Sequence, residues 1–257
     1  MAQPATGSEA GADASSGSPT PPSDRSPTAA AEDLLVACKL GEPTAGLEAA
    51  LADATDDALR PVRADRRTAL AFWINCYNAG TQLLLDRRPE RYESPLRTVR
   101  FFLTPAITVG GVDLALDRIE NGILRGGRSK YGLGYLPKFL VTTFEHRYRV
   151  AGCDPRIHFA LNCGAESCPP IRAYDPDRID DQLDLATRSY LDATVEYDPD
   201  AGTVSVPRVF LWFRGDFGGG SGIREFLRTH DAIPADATPR IRHRSWDWSK
   251  AAGKFVE

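Results

Sequence analysis

The chain predicts a single α+β domain in which a buried central helix packs on a mixed or antiparallel sheet. Three observations carry this expectation. The segment Thr68–Asp86 contains ALAFWINCYNAGTQLLLD, apolar on nearly every side, as a helix inside a core must be. Shorter helical patterns alternate with extended segments around turn residues, at Gly110-Gly111 and at Asp200-Ala201-Gly202. The 257 residues, 42% hydrophobic and 26% charged, hold no internal repeat and no second composition regime.

Taken in order, Met1–Ala31 is built from Ala, Ser, Pro, Gly and Thr and reads as a disordered tail, leaving residues 32–257 as the domain. Glu32–Leu40 and Leu47–Leu59 read as two amphipathic helices. In the central helix, Asn75, Asn78 and Gln82 share one narrow face, so they either pin neighbouring backbone or line a site. Cys76 lies mid-helix, away from a helix N-terminus that would activate it, and reads as a small apolar filler.

Arg97–Val112 reads as extended segments around the Gly110-Gly111 turn. Asp117–Leu124 reads as a short helix in which Asp117 and Glu120 fit a capping box, the alternative being Glu120 as a general acid or base. Lys138–His146 adds a short helix or strand, and Asp177–Leu191 an amphipathic helix. Glu196–Val206 is a hairpin, Pro207 opens a helix over Val209–Phe213, Ser221 caps a last helix through Thr229, and Arg240–Trp248 is extended.

The net charge of −4 and the lack of a basic block longer than Arg240–Arg244 argue against a nucleic-acid partner. No run of about eighteen apolar residues spans a membrane. The N-terminus lacks the basic start and apolar centre of a signal peptide. Five cysteines (38, 76, 153, 163, 168) at irregular spacing then fit thiols in a reducing cytoplasm.

Chemistry concentrates in Asp154–Ile171, DPRIHFALNCGAESCPPI. Arg156–Leu161 alternates as a strand does, Cys163-Gly164 breaks the pattern, and Pro169-Pro170 forces an extended exit. On a straight strand His158 and Cys163 stand about 16 Å apart on opposite faces. That geometry favours His158 with Cys168, brought back by the turn, as a nucleophile and base. H-x4-C-x4-C lacks the close cysteine pairs of zinc sites, so no metal is assigned, and no motif calls for a cofactor. Cys163 and Cys168 flanking a glycine turn could also pair reversibly.

Several blocks together carry a resemblance. FWINCYNA (72–79), IENGILR (119–125), DPRIHFALNCG (154–164), SCPP (167–170), Trp212 with Asp216-Phe217, and DWS (247–249) resemble the domain of unknown function 547 family, over roughly Glu32–Lys250. Asn75, Asn78, Glu120, His158, Asn162, Cys163 and Cys168 match its signature positions; Cys76 and Asn121 depart from it. Fusion of some members to redox or signalling modules implies thiol chemistry.

These readings combine into a cysteine-dependent hydrolase or acyl transferase, on a papain-like or transglutaminase-like scaffold, acting on a small molecule or protein. Cys168 or Cys163 is the reactive sulfur, His158 its base, and Glu120 a supporting carboxylate; Asn75, Asn78, Asn162 and Ser167 bind or orient. Thiol–disulfide exchange and a non-catalytic interaction module are the alternatives.

Overall fold

The computed structural model describes residues 25–92 and 95–256, so most of the expected tail lies outside the described residues. Its last part does not. Helix α1 (Pro27–Leu40) begins where Ser26 accepts a hydrogen bond from the Ala29 amide at 3.2 Å, with Pro27 preset for the first turn. Ala30, Ala31, Leu34 and Leu35 are fully buried, so the alanine run extends the helix's apolar stripe instead of belonging to the tail.

Helices α2 (Ala45–Ala52) and α3 (Arg60–Ala64) follow. The expected helix to Leu59 stops early, and the Thr55 side chain instead takes the Ala58 amide in a turn. Helix α4 (Arg66–Arg87) is the central element, capped by Asp65, which accepts from the Thr68 amide at 2.7 Å. Everything from Ala69 to Leu85 is buried, as its all-round apolar sequence requires.

Helix α5 (Pro95–Leu103) replaces the first half of the expected extended segment. Phe101 is its buried anchor, edge-on to Tyr92 at 5.2 Å. The hairpin then forms as expected: β1 (Pro105–Val109) pairs antiparallel with β2 (Val112–Ala115) across Gly110 and Gly111, both at positive φ.

Arg118–Leu124 is a π-helical turn, with the Arg125 amide reaching back to the Glu120 carbonyl at 2.9 Å. The capping box expected of Asp117 and Glu120 is not made. Asp117 pairs with Lys130 at 2.8 Å instead, and Glu120 turns to a cavity. Helix α6 (Thr143–Tyr148) does carry a capping box, between Thr142 and Glu145.

The expected strand at Arg156–Leu161 is a 3-10 helix, Pro155–Phe159. Pro155 fixes the first φ and Asp154 accepts the Arg156 amide at 3.1 Å, two start signals that outweigh the alternating pattern. Its residues are buried on both sides because the segment is a seam. Ile157 and Ala160 belong to the main core around α4, while Phe159 belongs to a second core with Phe210 and Phe217.

The second core is closed by α7 (Ile179–Thr194), β3 (Glu196–Asp198), β4 (Thr203–Val206), α8 (Val209–Trp212), α9 (Gly219–Thr229) and β5 (Arg240–His243). Strand β4 is central, antiparallel to β3 and parallel to β5. Pro207 stands just outside α8, since Arg208 is its cap. Gly218, at φ 79°, starts α9, so Ser221 lies in the first turn and not at the cap. Among the described residues the architecture is α+β, helices against two small sheets, and no helix is long and apolar enough to cross a membrane.

Candidate thiol site

The seam ends in a tight turn that holds two sulfurs together. Asn162, fully buried, donates to the Pro169 carbonyl at 2.7 Å and accepts the Gly164 amide at 2.8 Å, pinning both ends of the turn. Gly164 sits at φ +86°, so the turn needs glycine for its backbone, and a Cβ there would also press on the end of Leu85 of α4 at 2.9 Å. Inside it, the Cys163 amide donates to the Cys168 sulfur at 3.1 Å.

All five cysteines are free thiols. Burial alone would push the Cys168 thiol up, but donors from the Cys163 thiol, the Ala165 amide and the Cys163 amide outweigh it and hold Cys168 below the ordinary thiol range. Cys163 moves the other way: its thiol donates toward Cys168, and burial adds to the rise. Of the two, Cys168 is therefore the more acidic thiol. Cys76 is fully buried and pushed far up by burial, consistent with a filler.

Both sulfurs line a cavity of about 910 Å³, together with His158, Glu120 and Tyr77. Glu120 is held near pH neutrality: burial raises its carboxyl to about 7, with Arg125 pulling the other way. The Tyr77 hydroxyl donates to Glu120 at 3.3 Å. The Tyr92 hydroxyl is buried beside Cys163 and has no hydrogen-bond partner of ordinary geometry among the described residues.

His158 is fixed from behind. Its Nε2 is 2.9 Å from the Asp216 carboxylate, and its ring stacks on Phe213 at 4.1 Å. Asp216 also accepts from Arg125 Nε at 2.6 Å and Nη2 at 3.0 Å, and from Arg128 at 2.9 Å. Burial works against the Asp216 charge, but the donors from His158 and Arg125 hold it well below the carboxylate range. Burial likewise lowers His158, more than Asp216 raises it. A charged Asp216 accepts only, so the neutral ring carries its proton on Nε2 and its lone pair on Nδ1. No hydrogen bond joins His158 to either thiol among the described residues, and the strand geometry that set His158 against Cys163 does not exist.

Asn75, Asn78, Asn162 and Ser167 line no part of the cavity. Asn75 exchanges two hydrogen bonds with the Tyr174 backbone, and Asn78 bridges the Ala160 carbonyl and the Asn162 amide. Ser167 accepts the Asp247 amide at 2.9 Å. Asn78 therefore pins the seam to α4, while Asn75 ties the Tyr174 backbone and Gln82 the Gly253 amide to the same helix.

Sequence reasoning gave Asp216 no role. The available signal was a carboxylate set in an aromatic stretch, between Phe213 and Phe217, where an unpaired charge is too costly to bury. Cys153, His158 and Asp216 bring possible ligand atoms within 4.8 Å of one another. Two guanidiniums already compensate Asp216, and burial, with Asp216 adding, raises the Cys153 thiol to about 12, so this trio is a poor cation site.

No curated protein and no solved structure matches the chain. A family model, described as protein of unknown function, DUF547, matches residues 61–191. That span is narrower than the Glu32–Lys250 resemblance, yet it holds Tyr77, Glu120, His158, Cys163 and Cys168 and covers half of the sequence. The chain belongs to the DUF547 family.

Proposed function

We propose that this is a cysteine-dependent acyl transferase or hydrolase, with Cys168 as its nucleophile. The observation that supports it best is the stabilised Cys168 sulfur, which accepts the Cys163 amide at 3.1 Å beside a cavity that also holds a carboxyl titrating near 7. The cavity weighs against a purely structural role for these thiols.

In the proposed cycle the Cys168 thiolate attacks the carbonyl carbon of an ester or thioester. A carbon–sulfur bond forms, and the negative charge passes to the carbonyl oxygen, for which the Tyr92 hydroxyl, lining the same cavity, is the proposed donor. The bond to the leaving group breaks, and protonated Glu120 supplies its proton. Glu120, now ionised, then takes a proton from water or an acceptor alcohol as that oxygen bonds to the acyl carbon; the carbon–sulfur bond breaks, releasing the acid or new ester and regenerating the thiolate. His158 takes no chemical step in this scheme; it lines the cavity with its ring held by Asp216 and Phe213.

The test is to incubate the protein with a p-nitrophenyl ester and map the acyl group by mass spectrometry. The adduct is expected on Cys168, retained in Cys163→Ala and absent from Cys168→Ala. An adduct on Cys163, or a Cys168 thiol that alkylates only with a pKa above about 8.5, refutes the assignment.

A second reading, thiol–disulfide exchange, is favoured by the direct approach of the two thiols. Cys168 would attack a substrate disulfide, and Cys163, passing its proton to ionised Glu120, would then displace the second thiolate and close a Cys163–Cys168 disulfide. Loss of both free thiols on adding a small disulfide, with no acyl adduct from esters, selects this reading over the first.

A further inference from the structure

The acidic, amide and lysine side chains of the cavity wall are already partnered, whereas the Tyr92 hydroxyl has no ordinary partner among the described residues. Asp117 is paired with Lys130 at 2.8 Å, Glu120 is bonded to Tyr77 with burial raising its carboxyl to about 7, and Asn121 receives a hydrogen bond from Arg125. No cationic side chain lining the cavity is left without a partner among the described residues, so nothing there compensates a phosphate or carboxylate.

The remaining wall is aromatic and aliphatic. Trp212, Trp246 and Trp248 form one cluster, with ring centroids 5.2 to 6.1 Å apart. The apolar wall also runs outward. Val99, Tyr131 and Trp248 line the cavity and are 53%, 71% and 45% exposed, so the apolar surface is continuous from the buried sulfurs to solvent. A small acyl group would leave that wall wet.

Resting on the acyl-transfer reading, we infer that the substrate class is an uncharged long-chain acyl ester or thioester, its carbonyl at Cys168 and its chain along the tryptophan wall. A cavity of about 910 Å³ is at the upper end of ordinary ligand sites and has room for such a chain.

The experiment uses the full chain carrying Cys168→Ala, which binds without acylation, and methyl octanoate, methyl decanoate and methyl dodecanoate as probes. Binding is read from tryptophan fluorescence, since three of the four tryptophans line the cavity. Each added methylene is expected to tighten binding about fourfold. Trp248→Asp, on the exposed part of the wall, is expected to weaken methyl dodecanoate at least tenfold, with circular dichroism confirming that it folds. Equal binding of all three esters, while the wild type still forms a short-chain acyl adduct, overturns the chain assignment and leaves the thiol reading standing. Chain-length-dependent binding with no acyl adduct in the wild type supports the ligand class and overturns the acyl-transfer reading.

Discussion

Replacing Glu120 by Gln tests whether the cavity holds a protonated carboxyl near neutral pH. The folded carboxyl titrates at about 7 against an ordinary 4.5, because burial penalises the charged form. Between those two values the folded chain keeps a proton that the unfolded chain releases. Stability therefore falls as pH rises through that window and is level on either side of it. Each pH unit is worth about 1.4 kcal/mol, which gives roughly 3 kcal/mol as an upper figure, and solvent reaching the cavity reduces it to about 2 kcal/mol. The glutamine keeps the shape and cannot ionise. The variant should match wild type in urea unfolding at pH 4.5 and exceed it by about 2 kcal/mol at pH 8. Parallel stability curves for the two proteins across this range would refute the protonated-Glu120 argument, and with it the proposed general acid.

Asp216→Asn removes the charge that compensates fully buried Arg125, and should cost about 3–5 kcal/mol by denaturant unfolding. The same variant should free His158 to exchange tautomers, visible in the nitrogen chemical shifts of its ring. Asn162→Ala strands the Pro169 carbonyl and the Gly164 amide inside the protein, costing about 2–4 kcal/mol, and should slow alkylation of Cys168 at neutral pH. Gly164→Ala places a side chain in a left-handed backbone position against Leu85 and should cost at least about 1–2 kcal/mol. Adding Leu85→Ala should relieve the steric part only.

The legible parts of the fold were those where one local signal acts alone. Helix α4 was readable because no face of Thr68–Asp86 suits solvent, and the Gly110-Gly111 hairpin because two glycines at positive φ leave little else. The 154–161 segment misled because hydrophobic alternation also arises when neighbouring residues enter two different cores, as Ile157 and Phe159 do. Asp154 and Pro155 were the better guide there. Glu120 looked like a cap because spacing shows helix position but not which way a π-helical turn aims its third residue. The site residues on the central turn were close in sequence and thus visible; the Asp216 partner arrives 58 positions after His158, and only packing reveals it.

That long-range partner bears on what constitutes a foldable unit. The segment that defines the family, residues 61–191, includes Arg125 and His158 but not Asp216, and it excludes α1, which covers one side of α4. Excised alone, it would carry a guanidinium with its carboxylate amputated and a central helix stripped along one flank. The signature thus holds the thiol turn and its supports, whereas the contacts that complete the site and cover α4 reach from α1 to Asp216. Polypeptides trimmed to residues 61–191 should be unfolded or aggregate, and those that keep both flanks should not.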